Sequence, residues 1–267
     1  MYQDGRALTR GVIKLACKPA LVLPGDKDFS IARAAVAASS VSYDAEYHIP
    51  EFTPISDQGS LGSCVANAAC DALEILLGLE DPNAVVQLSR LLAYWNARSY
   101  TQDTGKDDGS YIRNCVDSFQ CLGVAPESIW PYDVRQVFAQ PPIRAYQLSL
   151  DNKITAYYRI SGDRANSIED AVRANHPVVF ASDVSKEYTQ YFNRSDVVWD
   201  TPHTWIGAHA QIIVGVRSVN GQRQFKVRNS WGPAFGDSGH SWYTEAYLES
   251  ARCSDFWVMT RVPALVF

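Results

Sequence analysis

Cys64 stands in the run Gln58-Gly59-Ser60-Leu61-Gly62-Ser63-Cys64-Val65-Ala66-Asn67. A thiol is a useful nucleophile only as its thiolate, and a helix start favours the anion through its free backbone N–H groups. Gln58 can donate its side-chain amide toward a developing oxyanion beside the N–H of Cys64, and Gly59 and Gly62 let the loop bend enough to bring them together. A lone cysteine opening an apolar helix is more often a buried core residue. Two later segments shift that balance. His209 lies in Gly207-Ala208-His209-Ala210-Gln211, flanked by small residues at the head of an apolar strand, and Asn229 lies in Arg228-Asn229-Ser230-Trp231-Gly232. Each has a bland alternative, a satisfied core histidine and a turn beside a core tryptophan. Together they can supply a base, and an amide oxygen that accepts the Nδ1–H of the ring and fixes its orientation. Trp231 can shield that hydrogen bond from water. Nucleophile, base, orienter and oxyanion donor make up an acyl-transfer site.

The elements that must position these groups are readable from periodicity. From Ser63 onward Ala66, Ala68, Ala69, Ala72, Leu73, Leu76 and Leu77 keep three-to-four spacing, with Gly78 as the expected stop. Further helices are expected over residues 89–99, 111–120 and 167–175, the last capped by Ser167. Strands are expected over 178–181, 211–216, 224–227, 241–244 and 256–262. Asn220-Gly221 reads as a two-residue hairpin turn. In that simple register Asn229 faces Ile212, which puts His209 on the opposite face of the ribbon, so a bulge or a wider loop is required. A helical half followed by a β-rich half gives an α+β protein of two lobes, with a cleft between them as the expected place for a site.

Composition narrows the partners. The chain has 267 residues and a net charge of −5, which gives no basic footprint for nucleic acid. No apolar run is long enough to cross a membrane, and no secretory signal is read at the start, so a cytoplasmic location is the default expectation. Cys17, Cys70, Cys115, Cys121 and Cys253 are expected to be free thiols, and no pair has zinc-site spacing. No metal or cofactor is expected. The sequon Asn193-Arg194-Ser195 is read as a chance match, and His48, His176, His203 and His240 as ordinary surface or core histidines.

Over residues 55–247 these segments, with Asp108-Gly109-Ser110, Trp130-Pro131-Tyr132 and Trp242-Tyr243, together resemble papain-like cysteine peptidases. His209 follows Cys64 by 145 positions and Asn229 by 165. The resemblance implies a two-lobed fold, with a helical left lobe, a β-barrel-like right lobe and the active-site cleft between them. It implies an endopeptidase acting on peptide or protein substrates, with Cys64 as nucleophile, His209 as general base then acid, Asn229 as orienter and Gln58 as oxyanion donor. Gly109 and Ser110 match the stretch that lines the cleft and hydrogen-bonds an extended substrate. Ala208, with Ala181, Gly207 and a residue near Cys253-Ser254, falls at the main specificity pocket. A transpeptidase or ligase using the same acyl-enzyme, and a dormant peptide-binding module, are the rival readings. The chain departs from the family at Leu61, where a disulfide cysteine is usual, at Val65, where an aromatic is usual, and at Ser110, which replaces the second glycine. These departures fit a microbial or viral member better than a lysosomal one.

The implied catalytic domain covers residues 43–267, with a helical lobe over about 58–150 and a β-rich lobe over about 151–267. Residues 1–42 form an extension. Its apolar, turn-poor part, residues 12–23, is expected to lie over the cleft and inhibit, the alternative being a strap on the outside of a lobe. Cys17 lies in this part, where a disulfide to Cys64 would act as a redox lock.

Overall fold

The computed structural model describes residues 13–30, 32, 46–194, 198–200 and 205–260. Residues 1–12, 31 and 33–42 of the extension, and His203, lie outside these residues.

The central element is helix α1 (Cys64–Glu80), buried on all sides from Cys64 to Gly78. Its apolar side chains belong inside a core, and the buried Asp71 and Glu74 among them are paired with arginines. Gly78 does not stop it. A Cβ there would fall 2.2 Å from the Phe52 ring, so the glycine admits a close-packed aromatic and the helix continues one more half-turn. Helix α2 (Arg90–Ser99) is capped by the Ser89 hydroxyl, which accepts the Leu92 N–H at 3.2 Å. Helix α3 (Ile112–Cys121) and the short α4 (Ile143–Ser149) complete the helical lobe.

The second lobe carries an eight-stranded sheet. Its strands are β1 (Tyr47–His48), β2 (Ala156–Ile160), β3 (Val178–Ser185), β4 (Val198–Trp199), β5 (Trp205–Val219), β6 (Gln222–Arg228), β7 (His240–Thr244) and β8 (Cys253–Thr260). The order is β2-β8-β3-β5-β6-β7-β4, with β1 added to β5. Among the described residues no pairing joins β2 to β4, so the sheet is open rather than a closed barrel. Helix α5 (Arg164–Arg173) starts three residues before the expected Ser167 cap, after Asp163 in a left-handed conformation (φ 43°). Helix α6 (Glu245–Glu249) and strand β2 have patterns too short to read from sequence.

The β5–β6 hairpin turns at Asn220 and Gly221, both with positive φ (51° and 77°), as a type I′ turn requires. Pairing follows the two-residue register from Val219↔Gln222 to Gly215↔Lys226, then slips by one, so that Ile213 faces Val227 and Ile212 faces Arg228. This is the bulge the sequence required. A one-residue slip reverses which face each side chain takes. Just beyond it comes Asn229, whose side chain reaches that of His209.

Buried ion pairs join the lobes. Arg228, 2% exposed, donates Nε to Asp71 of α1 (3.1 Å), Nη1 to Glu51 (2.6 Å) and Nη2 to the Pro54 carbonyl (2.7 Å). Arg90 pairs with the other Asp71 oxygen (2.6 Å) and with Glu74 (2.8 Å). The residue beside Asn229, the helix that begins at Cys64 and the segment leading to Gln58 are thereby tied to one guanidinium.

Candidate active site

Cys64 opens α1 and is fully buried. Burial pushes its thiol up, against the backbone N–H groups of Ala210, Ala16, Val65 and Cys64 itself, which favour the anion. His209 on β5 is also fully buried, between Ala208 and Ala210. Its Nε2 lies 2.9 Å from Asn229 Oδ1. The expected contact was through Nδ1, and the structure corrects this. The Ser230 N–H also donates to Asn229 Oδ1 (2.7 Å), which settles which amide atom is the oxygen and so makes Nε2 the protonated ring nitrogen. Nδ1 has no hydrogen-bond partner and is left as the basic nitrogen. Trp231 stacks on the imidazole, with centroids 4.5 Å apart at 22°. Burial lowers the His209 pKa to about 4, with the Asn229 bond acting the other way. Both shifts run toward the neutral forms, against the thiolate that the sequence led one to expect. The physical reason is desolvation of both groups.

Gln58 is held on both sides of its amide. Oε1 accepts the Ser230 hydroxyl at 2.8 Å, and Nε2 donates to the Leu61 carbonyl at 3.0 Å and the Lys14 carbonyl at 3.2 Å. Tyr132 donates its hydroxyl to the Gln58 carbonyl (2.9 Å) and meets Ser63 Oγ at 2.5 Å. Asp107 accepts the Gly62 N–H at 2.9 Å and the Tyr94 hydroxyl at 2.7 Å. Ser230, Tyr132, Asp107 and Arg228 are the supporting residues that motif reading missed. Ser230 and Tyr132 lie inside the quoted motifs, but nothing in their spacing says what their hydroxyls reach.

An extended strap, residues 13–18, lies against the site. Ala16 crosses Gly109 so closely that a Cβ there would fall 1.4 Å from the Ala16 carbonyl oxygen, and Gly109 has φ 79°. The Cys17 N–H donates to the Ala208 carbonyl (3.2 Å) and the Lys18 N–H to the Ser110 carbonyl (3.1 Å). Gly109, Ser110 and Ala208 thus all touch the strap. Leu15 packs on Gly207, where a Cβ would come within 2.9 Å. Ala181 pairs with Ala210 on one side and Ser254 on the other, which places it and Cys253-Ser254 behind His209's strand. All six cysteines, Cys17 and Cys64 included, are free thiols. Among the described residues no cluster could hold a metal, and no helix is long and apolar enough to cross a membrane. His240 and His48 do have partners, Glu51 at 2.9 Å and Glu46 at 2.6 Å, where none was evident from sequence. Both lie outside the Cys64 cluster.

Residues 40–254 match the family model described as papain family cysteine protease. The chain is 30% identical over 226 residues to an uncharacterized peptidase C1-like protein of Acanthamoeba polyphaga mimivirus, covering 80% of this chain and 72% of that protein. It is 25% identical to cysteine proteinase 3 of Dictyostelium discoideum, covering 76% of this chain but only 56% of that one. Among solved structures, xylellain, a cysteine protease from Xylella fastidiosa, superposes with a TM-score of 0.81 at 26% identity, covering 93% of this chain and 96% of that chain.

Proposed function

Since the chain belongs to the papain family of cysteine proteases, we propose that it is an endopeptidase working through an acyl-enzyme at Cys64, and that residues 13–18 hold it inactive. The observation that carries the reading is the Lys14 carbonyl oxygen lying on the Gln58 amide, while the Cys64 sulfur faces N–H donors beside the His209–Asn229 pair.

With the strap displaced, His209 Nδ1 takes the Cys64 proton and the sulfur attacks the scissile carbonyl carbon. The oxyanion is held by Gln58 Nε2–H and the Cys64 N–H. As the tetrahedral intermediate collapses, the C–N bond breaks and the leaving amine takes the proton from His209, leaving a thioester. Water, deprotonated by the same nitrogen, then attacks the thioester carbon. The acid departs and the Cys64 thiolate recovers its proton. Asn229 keeps the ring in one orientation, and the stacked Trp231 keeps water off that hydrogen bond. In the covered state the sulfur meets the Ala16 N–H where a productive ligand would present a carbonyl carbon, so the strap occupies the donors without offering the sulfur a bond to cleave. On this reading residues 1–42 are an inhibitory extension and 43–267 the catalytic unit.

Turnover of a fluorogenic peptide panel tests both parts. Cys64→Ala should abolish hydrolysis. Gln58→Ala should lower kcat by about 100-fold or more, the usual cost of an oxyanion donor. Removing residues 1–42 should raise turnover. Hydrolysis that survives Cys64→Ala ends the catalytic assignment, and no gain on truncation ends the inhibitory one.

A further inference from the structure

The strap is an occupant of the cleft, so its side chains report what the cleft binds. An extended chain alternates its faces. Lys14, Ala16 and Lys18 turn to the helical lobe, and Leu15 and Cys17 to the β lobe. Lys14 Nζ lies 2.7 Å from Asp107 Oδ2. Lys18 Nζ lies 2.6 Å from Asp103 Oδ2 and 5.4 Å from the centre of the Tyr111 ring. Asp107 Oδ1 is already committed to Gly62 and Tyr94, so Oδ2 is the oxygen aimed into the cleft. Asp103 and Asp107 therefore form a wall with two cation positions, both filled here by the chain's own lysines.

A third carboxylate is an electrostatic neighbour of the strap residue Cys17. Asp255, at the start of β8 and 3% exposed, has a left-handed backbone (φ 58°). Its Oδ1 accepts the Trp257 indole N–H at 2.7 Å, but its Oδ2 has no hydrogen-bond partner. Such an orphan oxygen is unfavourable unless something pairs with it. Arg159, Asp26 and the strap residue Cys17 are its electrostatic neighbours, and Arg159 makes no contact ion pair with it. Burial raises the Asp255 pKa to about 6.

We propose that the cleft selects basic peptides, whose lysine or arginine side chains replace Lys14 and Lys18 on Asp107 and Asp103. This deepens, and rests on, the peptidase reading. Asp103 and Asp107 hold these positions whichever way a peptide runs through the cleft.

The test is binding of labelled peptides, by fluorescence anisotropy, to the full chain carrying Lys14→Met and Lys18→Met to loosen the strap and Cys64→Ala to stop turnover. Peptides with lysine, glutamine or glutamate at two positions four apart are compared. The lysine peptide is expected to bind at least about tenfold more tightly than the glutamine one, with the gap shrinking as added salt shortens the screening length. Asp103→Asn, on an accessible side chain, should remove part of that gap. Asp107→Asn, which still accepts from Gly62, should remove more. Equal binding of the three peptides, or no binding of the lysine peptide, overturns the proposal. Hydrolysis measured separately with Cys64 intact distinguishes the two readings, since a chain that binds basic peptides without cutting them defeats only the peptidase assignment.

Discussion

At the scale of the residue, the site is a pair of neutral groups waiting for solvent or substrate. Cys64 is pushed up by burial and His209 is held at about 4, so the proton stays on sulfur across the neutral range. The direction of both shifts follows from desolvation, which always disfavours the charged form. Once the strap leaves, the backbone N–H groups around the sulfur and a solvated imidazole should favour the ion pair. Alkylation of Cys64 by a small thiol reagent should therefore be slow at pH 7 in the full chain and climb only at a pH above the ordinary thiol range of about 8.5. In the Lys14→Met, Lys18→Met chain the rise should move to lower pH. Stopped-flow or mass-spectrometric labelling rates against pH would show it, and superimposable profiles would mean that the strap does not set the thiol's state.

At the scale of the element, the strap and the loop of Gly109 are matched by shape. A Cβ on Gly109 would lie 1.4 Å from a backbone carbonyl oxygen, and its φ of 79° is one that side-chain-bearing residues rarely adopt. Gly109→Ala should displace the strap, exposing it to limited proteolysis and speeding Cys64 labelling at neutral pH. It should also cost about 1 kcal/mol or more of stability, because the positive φ remains strained. Peptide turnover should not rise with it on the proposed reading, in which the same close approach serves a substrate backbone. A variant that keeps its strap protected from protease would show that the loop adapts.

At the scale of the whole molecule, the lobes are fastened by carboxylates and guanidinia out of water's reach. Burial works against ionisation of Glu51, yet the His240 and Arg228 partners hold it at about 2. Its folded pKa lies below its unfolded one, so the stability it contributes is present above about pH 4.5 and is lost as pH falls toward 2. A shift of that size corresponds to about 3 kcal/mol. Glu51→Gln should lower unfolding free energy by about that amount at pH 7, and the denaturation curves of the two chains should converge near pH 2. Curves offset equally at both pH values would assign the cost to packing instead. Because Arg228 also grips Asp71 of α1, the loss should also lower kcat by loosening Asn229 relative to Cys64.

Much of this was written along the chain. Helix α2, the Asn220-Gly221 turn, the helical-then-β order and the Cys64, His209, Asn229 and Gln58 residue types follow from periodicity, turn chemistry and local spacing, all of which act over a few residues. Gly78 shows where that reach ends, because a glycine that looks like a stop is kept inside the helix by an aromatic ring twenty-six positions earlier. The residue slip after Gly215 was required by the sequence, yet its position depends on β5 pairing with β1, β3 and β6 at once. The neutral state of the thiol and imidazole depends on what covers them, the partners of Arg228 on how two lobes meet, and the cation positions at Asp103 and Asp107 on a strap that crosses some ninety residues of chain. By itself the sequence determined which groups exist and which local shapes they favour. Only the tertiary structure decided their ionisation, their register and their company, because dielectric, pairing parity and long-range ion pairs are properties of the packed chain.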